Sequence, residues 1–132
     1  MEKYFCDYNQ SLALKELGFD EPCLGVFYLI PETKKWEPYR IMEESNHNKS
    51  NFSISRPLIG QVFEWFRKEY RIISVIDFYC DNDEWEDTMY EVRISEFKHF
   101  KTHDSFVQSE YKSYEEAESA CIDKLIELCN DK

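Results

Sequence analysis

An α+β domain, with an antiparallel sheet of about four strands packed by three helices in the order α-β-β-α-β-β-α, is the fold class this sequence predicts. Three observations predict it. Apolar residues recur at helical spacing in three separated stretches, apolar or alternating runs fill the gaps between them, and 132 residues, 42% apolar, are enough for one core and too few for two. Residues 1–132 are therefore expected to form a single compact domain. Only three glycines and four prolines, beside 17% aromatics, mark a chain that folds although a third of its residues are charged.

Asp7 with Gln10 three residues on has the spacing of a helix cap, and Leu12, Ala13 and Leu17 supply an apolar face behind it. Gly18 is placed to end this first helix, because glycine accepts the left-handed conformation found at helix ends. From Cys23 to Ile30 the chain is almost continuously apolar or aromatic, and residues 31–35 form a polar break before a second extended run from Trp36 to Ile41. These predict a hairpin. The polar run from Glu43 to Ser53 follows neither period and is expected to be an exposed, mobile loop.

Ser55-Arg56-Pro57 reads as the opening of a second helix, with Ser55 as cap and Pro57 in the first turn. Leu58, Ile59, Val62, Phe63, Phe66 and Tyr70 then share one face, and Trp65, off the centre of that stripe, is expected to be partly exposed. Ile72 to Cys80 is rich in β-branched and aromatic residues. After a turn around Asp81-Asn82-Asp83, a second extended segment runs from about Trp85 to Phe97, where Tyr90, Val92, Ile94 and Glu96 alternate with Met89, Glu91, Arg93 and Ser95. The last helix opens on the capping box Ser113-Tyr114-Glu115-Glu116, and Ala117, Ala120, Cys121, Ile122, Leu125, Leu128 and Cys129 follow on one face.

Twenty-seven acids against sixteen bases give a net charge of −11, which disfavours direct binding to a phosphate backbone and favours a basic protein partner. Five cysteines (Cys6, Cys23, Cys80, Cys121, Cys129), with no Cys-x-x-Cys pair and no secretory leader, fit reduced thiols in a cytoplasmic protein. No run of about 20 apolar residues is present to span a membrane.

Candidate chemistry is sparse. His99, His103 and Asp104 would set two imidazoles on one face of a helix and so hold a metal, but the segment lacks a helical pattern; two surface histidines are the simpler reading. Cys121 and Cys129 lie two helical turns apart and read as core residues. Glycine-rich phosphate loops, nucleophile elbows and His-Glu-x-x-His pairs are absent from the sequence, so neither an enzyme nor a cofactor is expected. The densest feature is a run of eight acids (Asp77, Asp81, Asp83, Glu84, Glu86, Asp87, Glu91, Glu96) countered by Arg93 alone. It is compatible with a solvated hairpin edge, a weak cation site or a partner-binding surface. For the last, Asp81, Asp83, Glu84, Trp85, Glu86 and Asp87 are the candidate residues, and Trp36, Tyr39, Trp65 and Trp85 are candidate aromatic anchors.

Three segments carry a resemblance: residues 14–23 (Leu14-Lys15-Glu16-Leu17-Gly18-Phe19-Asp20-Glu21-Pro22-Cys23); Arg56-Pro57-Leu58 with Gln61-Val62-Phe63-Glu64-Trp65-Phe66-Arg67; and Tyr114-Glu115-Glu116-Ala117-Glu118 with Cys121 and Lys124-Leu125-Ile126. Together they resemble small proteins encoded in phages and prophages of Bacteroides-like and Flavobacterium-like bacteria. The resemblance implies a shared fold and a phage setting, and carries over no catalytic residue. In that setting a small acidic protein is expected to bind a host protein or ribonucleoprotein. The most concrete version is an anti-CRISPR-type inhibitor of an RNA-guided nuclease, whose guide and target channels are basic. An accessory structural or regulatory domain with no defence role is the alternative, and a small metal protein built on His99, His103 and Asp104 a third.

Overall fold

Asp7 and Gln10 close a reciprocal cap at the start of the first helix, α1 (Tyr8–Leu17). The Gln10 N–H donates to Asp7 Oδ1 at 2.8 Å, and the Asp7 N–H donates to Gln10 Oε1 at 3.1 Å. Gly18, at φ +97°, ends the helix as expected. In the computed structural model, which describes residues 2–80 and 82–131, the face that α1 buries is Gln10, Ser11 and Leu14, while Leu12, Ala13 and Leu17 are half-buried. The shift follows from α1 being wedged between the C-terminal helix and the edge of a sheet.

The hairpin β1 (Cys23–Ile30) and β2 (Lys35–Ser45) forms as predicted, with β2 running past Ile41. A third strand, β3 (Ser53–Arg56), pairs with the other side of β1. Two expectations are thereby overturned: residues 43–53 are not a free loop, and Ser55 does not cap a helix. The Ser55 hydroxyl accepts the His47 N–H at 2.9 Å, its own N–H donates to Asn48 Oδ1 at 2.8 Å, and Ser53 Oγ donates to the His47 carbonyl at 2.7 Å. The polar side chains thus fold a 3₁₀ turn, His47–Lys49, over the edge of β3.

Beside this turn the Arg56 guanidinium is buried between the Phe5 and Phe27 rings, 5.0 and 5.2 Å from their centroids, and Nε donates to the Cys6 carbonyl at 3.2 Å. Gly25 faces Arg56 across the strand pair at a spacing that admits no side chain. A Cβ there would lie 2.5 Å from the Arg56 carbonyl oxygen.

Helix α2 (Ile59–Tyr70) starts at Leu58 with no side-chain cap, and Leu58 itself is exposed. Val62, Trp65 and Phe66 are its buried residues. Trp65 is therefore core, not partly exposed, and meets the edges of Phe19, Phe66 and Tyr70 at 5.1–5.6 Å. Arg71, in the left-handed region at φ +55°, turns the chain directly into β4.

Strands β4 (Ile72–Tyr79), β5 (Met89–Lys98) and β6 (Lys101–Tyr111) form a second antiparallel meander. The expected four strands are in fact six, in two three-stranded sheets ordered β2-β1-β3 and β4-β5-β6. The order of the three helices stands, and β3 and β6 are the additions. Residues 85–88 precede β5, and Trp85–Asp87 is a 3₁₀ turn and not the start of a strand. On β5 the expected alternation holds, with Val92, Ile94 and Glu96 buried.

Helix α3 (Tyr114–Asn130) is capped by Ser113, whose Oγ accepts the Glu116 N–H at 3.1 Å, while the Glu116 carboxylate accepts the Lys112 N–H at 3.4 Å. Ala117, Cys121, Ile122, Leu125, Ile126 and Cys129 point into the main core, which holds Leu14, Val62, Phe66, Ile72, Val92 and Ile94. Ala120 and Leu128 stand half-buried at its margin. By touching α1, α2 and all three strands of the second sheet, α3 joins the halves of the molecule.

Candidate functional site

Phe78 lies on the helix-facing side of β4, yet it is 61% exposed because no helix covers this end of the edge strand: α3 starts one strand over, with Tyr114 against Tyr90, the β5 partner of Phe78. Beyond it the chain reverses. Asn82 organises the turn: its Oδ1 accepts the Glu84 N–H at 2.8 Å and the Cys80 thiol at 3.4 Å, and its Nδ2 donates to Asp87 Oδ2 at 2.8 Å. The 3₁₀ turn then presents Trp85, 69% exposed, with its ring 6.2 Å from Phe78 and steeply inclined to it. Between the two rings and Cys80, Asn82, Asp83 and Glu84 is an open cleft of about 220 Å³.

Of the residues the sequence singles out, Asp83, Glu84, Trp85, Glu86 and Asp87 are brought together on this tip, all exposed. Asp81 lies outside the described residues. None of the four described carboxylates is in an ion pair with a described residue. The rest of the acidic run is dispersed. Asp77 accepts the Phe78 N–H at 2.9 Å, Glu91 sits 3.8 Å from Arg93, and Glu96 is buried and paired with Lys98 at 2.8 Å. The long acidic stretch is thus a compact tip rather than a continuous stripe.

The aromatic candidates separate as well. Trp36 is half-buried against Tyr8, Tyr39 stacks beside Tyr28 on the first sheet, Trp65 is in the core, and Trp85 alone joins the acids. Phe78, its partner on the tip, is not evident from sequence: it reads as one apolar residue in an apolar strand, and only the limited reach of the helices leaves it bare.

His99 and His103 do not converge. His99 occupies the β5–β6 turn at φ +53°, and His103 stands opposite Glu96 on β6. Asp104 faces the other side of the sheet, bound to Arg93 Nη1 at 2.9 Å and Ser95 Oγ at 2.8 Å. Among the described residues no group of three metal-ligating side chains comes together. Burial raises the thiol of Cys23 to about 12 and that of Cys121 to about 11, and pushes Cys6 up as well, so these three are protonated at neutral pH and are poor nucleophiles.

No protein-family model, curated protein or solved structure matches this chain. Among the described residues no helix is long and apolar enough to cross a membrane. The tip is the surface on which a reading of function rests: two bare aromatic rings beside four exposed carboxylates that form no ion pair with another described residue, held in shape by Asn82.

Proposed function

We propose that this chain is a non-enzymatic binding protein whose acidic, aromatic tip docks on a basic surface of a host protein or ribonucleoprotein. The observation that carries the reading is the Phe78–Trp85 pair, exposed on a turn whose described carboxylates form no ion pair with another described residue. Exposed aromatics of this size are the usual anchors of a protein interface, and Trp is the most enriched of them. The surrounding negative field speeds encounter with a basic partner and repels acidic ones. The most concrete version is inhibition of an RNA-guided nuclease, whose guide and target channels are lined with basic residues that four clustered carboxylates could engage in place of phosphates. The resemblance to phage-encoded proteins supports that version.

The test is capture from host lysate at low salt with the tagged chain, compared with Trp85→Ala and with the quadruple reversal Asp83→Lys, Glu84→Lys, Glu86→Lys, Asp87→Lys. A basic protein or ribonucleoprotein should be recovered by the wild type. Trp85→Ala should weaken its binding by about 2 kcal/mol, roughly thirtyfold, without lowering the melting temperature, because the ring is mostly outside the fold. Charge reversal should abolish capture. Recovery of the same partner by both variants removes the tip from the account.

A further inference from the structure

We infer that β4 pairs edge to edge with β4 of a second copy of this chain, joining two three-stranded sheets into one of six strands. The two sheets expose four edge strands, and three of them carry devices that discourage pairing. β2 has Pro38 with Lys35, Glu37, Arg40, Glu43 and Glu44 along it. β3 is four residues long and lies under the His47–Lys49 turn. β6 is broken in register at two places, with Glu110 at φ +75° and Lys101, His103 and Asp104 along its length. β4 has none of these: its register with β5 is unbroken from Ile72 to Tyr79, it contains no proline, and Asp77 is its one charge.

The free edge can be assigned residue by residue. The Arg71 carbonyl accepts the Phe97 N–H at 3.1 Å, so the odd-numbered residues of β4 turn their backbone toward β5 and the even-numbered ones turn theirs outward. Consistently, the outward Phe78 N–H is met only by the side chain of Asp77. Ile72 is fully buried, which leaves Ser74, Ile76 and Phe78 as the open donors and acceptors. An antiparallel self-pairing about Ile76 matches them: Ile76 with Ile76 of the second copy, and Ser74 with Phe78. The seam also covers Ile73 and Val75, 44% and 49% exposed on the bare face.

Charge selects a second copy running antiparallel. Arg67 and Arg71 stand at the start of β4 beside Ile73, and Asp83, Glu84, Glu86 and Asp87 stand past its end. Antiparallel self-pairing lays each basic end along the other copy's acidic end; a parallel one would set like against like.

The experiment is sedimentation equilibrium on the full chain, which should give twice the chain mass at high concentration. Val75→Glu sets a carboxylate opposite Asp77 of the other copy twice per dimer, and should weaken association roughly two- to thirtyfold. Within its own chain the new Glu faces Arg93 across β5, so the fold is spared. Adding Asp77→Lys should restore the dimer. Hydrogen exchange on the wild type gives an independent readout: the Ser74 and Ile76 amides should be protected at high concentration and lose protection on dilution. A wild type that stays monomeric at its solubility limit, a dimer indifferent to Val75→Glu, or concentration-independent exchange at these amides overturns the inference. None of these measurements involves a host partner, so failure here and failure of the proposed function are separate results.

Discussion

Raising the pH from 8 to 10 should remove about 4 kcal/mol of stability, a figure that follows from three thiols. Cys6, Cys23 and Cys121 are at most 1% exposed. Burial holds Cys23 up to about 12 and Cys121 up to about 11, with Cys6 shifted in the same direction by burial first and then by Asp7. In the unfolded chain each ionises near 9. Between pH 9 and the native values the unfolded state has therefore released protons that the folded state still holds. Stability falls as pH rises through this window and is unaffected below it. At pH 10 the loss is about 1.4 kcal/mol for each thiol, or about 4 kcal/mol for three, a large share of the roughly 5–15 kcal/mol available to a domain. Urea unfolding from pH 7 to 10 measures it. Cys121→Ala should lower stability at every pH through the lost packing, yet shed about a third of the pH-dependent part. A free energy of unfolding that is flat from pH 8 to 10, or a slope untouched by Cys121→Ala, would refute the reasoning.

Two further substitutions probe the joints of the fold. Gln10 is buried, and its amide Nε2 donates to the Ser119 carbonyl, Ser119 Oγ and Asp123 Oδ1 at 3.0–3.2 Å while Oε1 completes the cap on α1. Gln10→Ala should destabilise by about 2–4 kcal/mol, seen as a lowered melting temperature, because it strips a cap and leaves α3 acceptors unmet. Gly25→Ala should lose about 1–3 kcal/mol in urea unfolding, since the Arg56 backbone that blocks the new methyl cannot move without opening the β1–β3 pair. Gly60→Ala is the control: its methyl meets nothing within 4 Å, and stability should hold or rise.

The cap and end of α1, and the cap and apolar face of α3, were legible because each lies within one short window of sequence, whereas the face that α1 buries, Gln10, Ser11 and Leu14, depends on what packs against it. The β1–β2 hairpin was legible because an apolar run and a polar break sufficed. β3 was not: Ser53-Ile54-Ser55-Arg56 is short, and three of its four buried residues are polar. Its hydroxyls and guanidinium find partners up to fifty positions away, information that no local pattern holds. β6 escaped for two reasons. It is an exposed edge strand with little alternation, and its turn, His99 and Phe100 both at positive φ, uses neither of the residues that usually announce such a hairpin. The acidic half of the tip could be read from charge density alone, whereas Phe78 depends on where the helices stop.

Helix α3 is made after every element that it holds together. Gln10 and its contact Asp123 are 113 residues apart, which at about 5–20 residues per second is a delay of about 6–23 s during synthesis. Until α3 is made, Leu14, Val62, Val92 and Ile94, each from its own synthesis onward, lack the surface that finally covers them. A nascent chain of this design spends its early life as an incomplete core with the β4 edge already in place, and its yield in the cell depends on what shields that surface until α3 arrives.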